Sequence, residues 1–400
     1  MSRLVDTVCV RKDAVPKFSF FKKNITVIIV TKHKFMRFSM ERNTIKYGKK
    51  RWLIHLKRKS LRYGYRPHKI AKKKNIFTVH IAPEQICLYK AEDEIYASHE
   101  IVKNTLTFIN KIRESKETLI RISFRNTKRA TAAASVLLYA AIEEAKDNGC
   151  KFEKLSSITN FQVNSYMKSI GVYNLIQARE SVLNFSSEAP LPIIKGFDAE
   201  YRDEIVDYIK NIVFKNNLSP ADENKYGDAV QETISNVLLH AYPEIEESSN
   251  KKWWLLCDVL DKDLYLAIFD QGVGIPSTVS GNKWFGTTLA SKYPSKYDEI
   301  MDELAITKTE KLQDKLGLLK LNDGQLIQLS MIGDITRTME SKHGQGSKSI
   351  KALVADNQDG KLWVFSNKGL YAMNGKSTLD SVHSLPISIC GTIVQWNIKL

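Results

Sequence analysis

The stretch QETISNVLLHAYPE, at 231–244, spaces a carboxylate, a carboxamide and an imidazole four residues apart. On a helix, which turns by about 100° per residue, Glu232, Asn236 and His240 fall within about 80° of one another. The residues on the opposite side are apolar and predict a face directed at a core: Ile234, Val237, Leu238 and Ala241. An ordinary amphipathic helix has the same pattern, so this stretch alone leaves the function open.

A second stretch, LYLAIFDQGVGIP at 264–276, combines an apolar strand with a glycine-rich exit. The strand ends at Asp270, whose carboxylate is positioned to accept from a buried donor such as an exocyclic amine. Gly272 and Gly274 follow at once, and glycine permits the tight backbone path that brings a ligand close. Upstream, WWLLCDVL at 253–260 predicts the partner strand of a hairpin.

The third stretch, SKHGQGSKSIKAL at 341–353, has a Gly-x-Gly at the start of a predicted helix. A P-loop needs a lysine directly after its last glycine and a strand before its first. Here Ser347 separates Gly346 from Lys348, and the upstream residues are polar without a strand period. The sequence therefore excludes a P-loop. It is still compatible with a phosphate-binding site, because backbone N–H groups at a helix N-terminus bind anions.

In this order, Glu-x-x-x-Asn-x-x-x-His-Ala, Asp-x-Gly-x-Gly and Gly-x-Gly before a helix resemble the GHKL superfamily of ATPases. The resemblance covers residues 195–400, and the Asn-x-x-x-His-Ala-Tyr variant at 236–242 is most similar to the anti-sigma-factor serine kinases. Three predicted strands resemble the family's closing strands: 361–367, 369–373 and 391–400. The resemblance implies a Bergerat-type α/β sandwich with a mixed sheet.

The same resemblance implies a site for ATP and Mg²⁺. Asn236 would ligate the metal ion that bridges the phosphates, and Asp270 would recognise the adenine amino group. Glu232 would polarise the attacking water or hydroxyl. The other cofactor-binding positions that the resemblance implies are Gly272, Gly274, Gly344, Gly346, Lys348 and Thr392. For His240, a packing role and a catalytic role both remain open. For Lys348, a charge contact with the phosphates and simple solvation both remain open.

Between Ile275 and Gly344 lie 68 residues, 276–343, which we interpret as a lid with an inserted subdomain that moves with nucleotide. The part at 295–319 is predicted to be helical. A two-component histidine kinase is disfavoured, because no phospho-accepting histidine lies in a helical hairpin before the predicted ATP domain.

Residues 75–185 predict a smaller α/β domain, joined to the ATP domain by a linker at 186–194. The predicted elements are strands at 76–82 and 119–124 and helices at 101–112 and 130–149. This order of strands and helices resembles a STAS domain, the fold of anti-sigma antagonists. The resemblance is suggested by the neighbouring domain, which is similar to the anti-sigma-factor kinases. That family has a regulatory serine near the helix start. Here the sequence offers only Thr131 and Ser135 in ATAAAS, so a regulated phosphosite is disfavoured.

Residues 1–74 form a basic arm, with 23 Lys and Arg against three Asp and Glu in a chain of net charge +16. Within 49–74, Trp52, Tyr63 and Tyr65 alternate with cations. Such a stretch is suited to nucleic acid as a partner, because cations neutralise phosphates and aromatic rings stack on bases. A disordered, solvated tail and a start codon assigned too early are the alternatives.

The five scattered cysteines lack a Cys-x-x-Cys pair and argue for a reducing compartment without disulfides or a zinc site. The longest N-terminal apolar run is too short for a signal or a membrane span, so we expect a cytoplasmic protein with no membrane contact. We predict an Mg-ATP-binding regulator that hydrolyses ATP or transfers its phosphate to a Ser or Thr of a partner protein. The alternative is a nucleotide-switched binding module, whose lid closure controls a protein or nucleic-acid partner. The sequence leaves open which partner it has and whether the chain forms a homodimer.

Overall fold

The computed structural model describes residues 7–10, 24–31, 34–41, 50–55, 78–89, 98–155, 160–281, 290–291, 294–295, 297–298, 321–331, 346–376 and 380–400. The chain divides into two compact units, Met1–Ile76 and Phe77–Leu400. Helices and strands mix throughout the larger unit, so the predicted α+β class is confirmed. None of the helices among these residues combines the length and apolarity that crossing a bilayer requires.

In the smaller unit, three strands form a sheet within the predicted basic arm. The strands are β1 (Thr7–Val10), β2 (Asn24–Thr31) and β3 (Lys34–Glu41). β1 runs parallel to β2, and β2 runs antiparallel to β3. Of the stretch 49–74 that was assigned to nucleic acid, only the helical residues 50–55 belong to the described part, and the remainder lies outside it.

The larger unit begins with a central layer in which parallel strands alternate with helices. Its elements are β4 (Thr78–Ile81), β5 (Gln85–Ile86), α1 (His99–Arg113), β6 (Leu119–Ser123), β7 (Arg129–Ala130), α2 (Ala132–Asp147), β8 (Lys151–Lys154), α3 (Phe161–Ser169) and α4 (Val172–Ile176). The strands β4, β6 and β8 form a parallel sheet in that order, and β5 pairs in parallel with β7. Parallel neighbours need a crossover connection, and α1 and α2 supply it. Both predicted strands and both predicted helices of this layer are confirmed.

The C-terminal part contains a seven-stranded sheet. Its strands are β9 (Ile194–Phe197), β10 (Lys252–Leu260), β11 (Asp263–Asp270), β12 (Lys361–Ser366), β13 (Gly369–Asn374), β14 (Ser381–Ser384) and β15 (Thr392–Lys399), in the spatial order β14-β13-β12-β15-β11-β10-β9. Every neighbouring pair is antiparallel, so the predicted mixed sheet is wrong. The hairpins explain part of this, because a two-residue connection joins only antiparallel strands. In the turn between β10 and β11, Asp261 and Lys262 both have positive φ, as such tight turns require.

Helices cover one face of this sheet. They are α5 (Arg202–Tyr208), which continues into a π turn at Ile209–Val213, α6 (Pro220–Asn236), which continues into a π turn at Val237–Ala241, the 3₁₀ turn Ser248–Asn250, α7 (Ile275–Gly281), α8 (Asp323–Ser330) and α9 (Gly346–Ala355). The start of α6 follows from sequence, because Ser219 caps the N–H of Asp222 at 3.1 Å and Pro220 occupies the first helical position.

Both faces of the seven-stranded sheet are buried. On one face Trp253, Ile268 and Trp396 share a core with α6 and α9. On the other face Trp254 and Phe269 share a core with α2 of the central layer. The predicted modules at 75–185 and 195–400 therefore pack as layers of one structure with a common hydrophobic core.

Two described parts of the predicted lid at 276–343, residues 276–281 and 321–331, belong to the body of the fold. Helix α8 packs on β13, β14 and α7 and buries Leu326, Ile327 and Leu329. Asp323 at its start accepts a hydrogen bond from the N–H of Lys368 at 2.8 Å. Most of the segment between α7 and α8, including most of the predicted helix at 295–319, lies outside the described residues.

Candidate functional site

Three polar residues form a row across neighbouring strands at one end of the sheet. Asp270 of β11 pairs with Thr392 of β15, which pairs with Ser366 of β12. Residues directly opposite in antiparallel strands point to the same face, and side chains alternate along each strand. The row therefore shares the face of Ile268 and Val394, which is the face that α6 and α9 cover.

Asp270 is a buried carboxyl, only 6% exposed. Its Oδ1 accepts a hydrogen bond from the N–H of Gly272 at 2.8 Å. Burial raises the pKa of Asp270 to about 7, although backbone hydrogen bonds from Gly272 and Thr392 act in the opposite direction. A carboxylate offers about four acceptor sites, so capacity remains for a further donor.

The other two members of the row bind each other. The hydroxyls of Ser366 and Thr392 lie 3.0 Å apart. Ser366 also donates to the carbonyl of Gly391 at 3.1 Å and accepts from the N–H of Ile275 at 2.9 Å. These bonds fix the start of α7, and they engage the hydroxyl of Thr392, a predicted cofactor-binding residue, within the protein.

The loop after Asp270 touches the end of the α6 segment. A Cβ on Gly272 would lie 2.2 Å from the carbonyl oxygen of Ala241, and the N–H of Val273 donates to that oxygen at 2.8 Å. Gly272 thus serves close approach, as predicted, but what approaches is the protein's own backbone. Tyr242 strengthens the junction, because its hydroxyl accepts from the N–H of Gln271 at 3.0 Å and donates to the carbonyl of Lys252 at 2.8 Å.

Glu232 and Asn236 lie in the last two turns of α6, one turn apart and partly exposed. Ile234 beside them is buried, so the predicted division of the helix into an apolar and a polar side holds here. The π turn begins directly after Asn236 and widens the helix through i→i+5 hydrogen bonds. His240 lies on that turn and is exposed, which agrees with its expected place on the polar side of the helix.

Two contacts set the direction of α9. The side chain of Asn357, just beyond its C-terminal end, donates to the carbonyl of Lys399 at 3.4 Å. The indole of Trp396 donates to the carbonyl of Ile350 at 2.8 Å. Towards its N-terminus the helix therefore runs along β15 in the direction of Thr392. This carries Gly346 and the exposed Lys348 towards the polar row, whereas Gly344 lies outside the described residues.

A connection that the sequence did not predict joins the Asp270 loop to the central layer. The side-chain amide of Gln271 donates to the carboxylate of Glu144 on α2 at 2.8 Å. One residue earlier on α2, Glu143 accepts from the indole of Trp254 at 2.8 Å and forms an ion pair with Lys195 at 3.2 Å. The sequence feature that indicated such a contact is the run of apolar residues without alternation in β10 and β11, because strands of this kind are buried on both faces.

In the described ranges, no three His, Cys, Asp or Glu side chains form a cluster that could hold a metal ion. A magnesium ion here would need phosphate oxygens and water as its other ligands, which is the way this ion binds in nucleotide sites. The amide oxygen of Asn236 fits that chemistry.

No family model matches the chain, and comparison with curated proteins finds no similar sequence.

Proposed function

We propose that residues 195–400 bind Mg-ATP beside the polar side of α6, the end of β11 and the start of α9. In this proposal the protein hydrolyses ATP or transfers its phosphate to a Ser or Thr of a partner protein. The observation that carries it is Asp270, a buried carboxyl at the end of β11 on the face that the helix of Glu232 and Asn236 covers. A buried ionisable group with a strongly raised pKa is a frequent mark of a functional site.

The proposed chemistry divides among a few groups. Asp270 accepts from the amino group of adenine, and Asn236 would supply one oxygen ligand to a magnesium ion, whose charge would offset that of the phosphates. Glu232, one turn before Asn236, accepts the proton of the attacking water or hydroxyl. The oxygen of that nucleophile bonds to the γ-phosphorus as the bond to the bridging oxygen breaks, and ADP leaves. The N-terminus of α9 supports the phosphates with backbone N–H groups and the positive end of its dipole.

ATP affinity of Asp270→Asn provides the test. The asparagine places a donor against the amino group of adenine, and a buried donor–donor contact costs about 1–3 kcal/mol, so affinity should fall by about tenfold or more. Asp258→Asn is the matched control, since Asp258 is another carboxyl of the same hairpin with a pKa raised by burial. Equal ATP affinity of both folded variants and the parent protein would overturn the assignment of the adenine site.

The bond between Gln271 and Glu144 favours a second candidate, the nucleotide-switched binding module. It joins the residue between Asp270 and Gly272 to the central layer, so closure around a nucleotide would pull on α2. Under this alternative, ATP changes amide hydrogen exchange in α2, and Gln271→Leu removes that change while ATP still binds. If saturating ATP does not change amide hydrogen exchange in α2 of the parent protein, the switch is contradicted. The enzymatic function then remains as the proposal.

A further inference from the structure

Apart from the proposed ATP site, a cleft with a volume of about 1010 Å³ opens in the central layer at the carboxyl ends of β4 and β6. The loops that follow these strands, 82–84 and 125–128, bind each other. The bonds run from Lys128 N to Glu84 O (2.7 Å), from Thr127 Oγ1 to Pro83 O (3.0 Å) and from Ala82 N to Ser123 O (2.9 Å). Because these bonds satisfy the loop backbone internally, the cleft is formed before any ligand arrives.

Helix α1 forms one wall of the cleft. The residues it contributes, Asn104, Thr107, Phe108 and Lys111, follow the spacing i, i+3, i+4, i+7 and so form one stripe. Thr105, Ile109 and Ile112 on the rest of the helix are buried in the core. The stripe facing the cleft is thus mainly polar on a helix whose other positions anchor it to the protein.

The lining favours an anion. Lys111, Arg125 and Lys128 bring positive charge from two separate elements, and Glu84 is the single carboxylate of the lining. Glu84 forms an ion pair with Lys128 at 2.8 Å, so these two charges balance each other and the lining as a whole keeps an excess of positive charge. Asn104, Asn126 and Thr107 add donors without adding negative charge.

The edge of β4 supplies the remaining surface. Val79 and Ile81 are 40% and 62% exposed and belong to the lining, so they give the cleft an apolar part. Between them, Nε2 of His80 is buried and has no hydrogen-bond partner within the described residues. Burial lowers the pKa of His80, with opposing effects of Glu117 and Lys111, so the imidazole is neutral near pH 7.

We infer that this cleft binds a phosphorylated small molecule of nucleotide size. Its phosphate contacts Lys111 and Arg125, and its apolar part lies against Val79 and Ile81. The volume agrees with this class, since ligand pockets span about 300–1,000 Å³. Charge-assisted hydrogen bonds to the phosphate supply most of the affinity. The inference does not rest on the proposed ATP site.

Lysine footprinting of the full-length protein tests the cleft with two probes, inorganic pyrophosphate and uridine monophosphate. Uracil has no exocyclic amino group, so the second probe lacks the group that Asp270 is proposed to recognise. Lysines are acetylated briefly with N-acetoxysuccinimide and read by peptide mass spectrometry. Both probes should slow the labelling of Lys111 and Lys128 several-fold. The exposed Lys168, outside both proposed sites, should be labelled as before.

Arg125→Gln should weaken this protection about tenfold, because it removes charge-assisted hydrogen bonds to the phosphate. Arg179→Gln, at an exposed arginine outside the cleft, should leave the protection intact. If Arg125→Gln does not fold, Asn126→Ala replaces it and should weaken protection to a smaller degree. Labelling of Lys111 that neither probe changes, or protection that persists in both cleft variants, would overturn the inference.

Discussion

Replacing Asp270 with asparagine separates what this residue does for stability from what it does for a ligand. Burial raises its pKa in the folded protein to about 7, whereas a carboxyl of this type in an unfolded chain has a pKa of about 3.9. Between these two values the folded protein holds a proton that the unfolded chain has released. Stability therefore falls as the pH rises through this window and levels off above the folded-state pKa. At about 1.4 kcal/mol per pH unit, the loss approaches about 4 kcal/mol.

Asp270→Asn removes the titration but keeps the size of the side chain. Its amide oxygen can still accept from Gly272, while its NH₂ group faces the N–H of Thr392 at a cost of about 1–3 kcal/mol. The variant should therefore be less stable than the parent protein at pH 4 and equally or more stable at pH 7.5. The difference in unfolding free energy between the two should shift by about 4 kcal/mol across this range.

Urea unfolding, followed by tryptophan fluorescence at pH steps from about 4 to 7.5, measures this shift. Asp258→Asn is the control, because burial raises the pKa of Asp258 only to about 6 and its effect should end at a lower pH. Parallel pH curves for the parent protein and Asp270→Asn would refute the raised pKa. A variant that gains stability at pH 7.5 and loses ATP affinity would identify Asp270 as a residue kept for binding at the expense of stability.

The other predictions concern the helix, the loop and the basic arm. Glu232→Gln should retain ATP and slow phosphate release by about 10²–10⁴-fold, and release at the parental rate would exclude Glu232 as the base. Gly272→Ala should destabilise the protein by about 1–3 kcal/mol, because the new methyl meets the carbonyl of Ala241. Gly227→Ala, in α6 with open space around it, should instead stabilise by about 0.5–1 kcal/mol in the same unfolding assay. Nucleic acid binding by the stretch 49–74 should be independent of sequence and fall steeply with salt in a filter-binding titration, and affinity unaffected by salt would place the contact elsewhere.

The sequence predicted local elements of the C-terminal part well. The hairpin of β10 and β11 follows from two apolar runs around a polar turn, and β12, β13 and β15 lie where the closing strands were expected. What it could not predict is that β15 lies between β11 and β12. Strand order depends on pairing between distant segments, and an apolar strand pairs with several partners equally well.

Two features of the site also lay beyond the sequence pattern. The helical period through 231–244 is uniform, so nothing in it indicates the π turn at Val237–Ala241. The contact of α2 with the sheet depends on side chains such as Gln395, whose Oε1 accepts from the N–H of Ala133 at 2.8 Å and whose amide donates to Tyr89. A single glutamine within an apolar strand gives no indication of its partner.

The central position of β15 has a consequence for protein synthesis. Asp263 pairs with Lys399 and Ser366 pairs with Thr392, so the strand that joins the two halves of the sheet leaves the ribosome well after its neighbours. At ~5–20 residues per second, the delay after β11 is on the order of ten seconds. During that time β11 presents an unpaired edge beside apolar surface, and β12 does so for the shorter interval between its own synthesis and that of β15, a combination prone to aggregation. We therefore expect nascent chains of this protein to depend on chaperones that shield open strands until β15 has emerged.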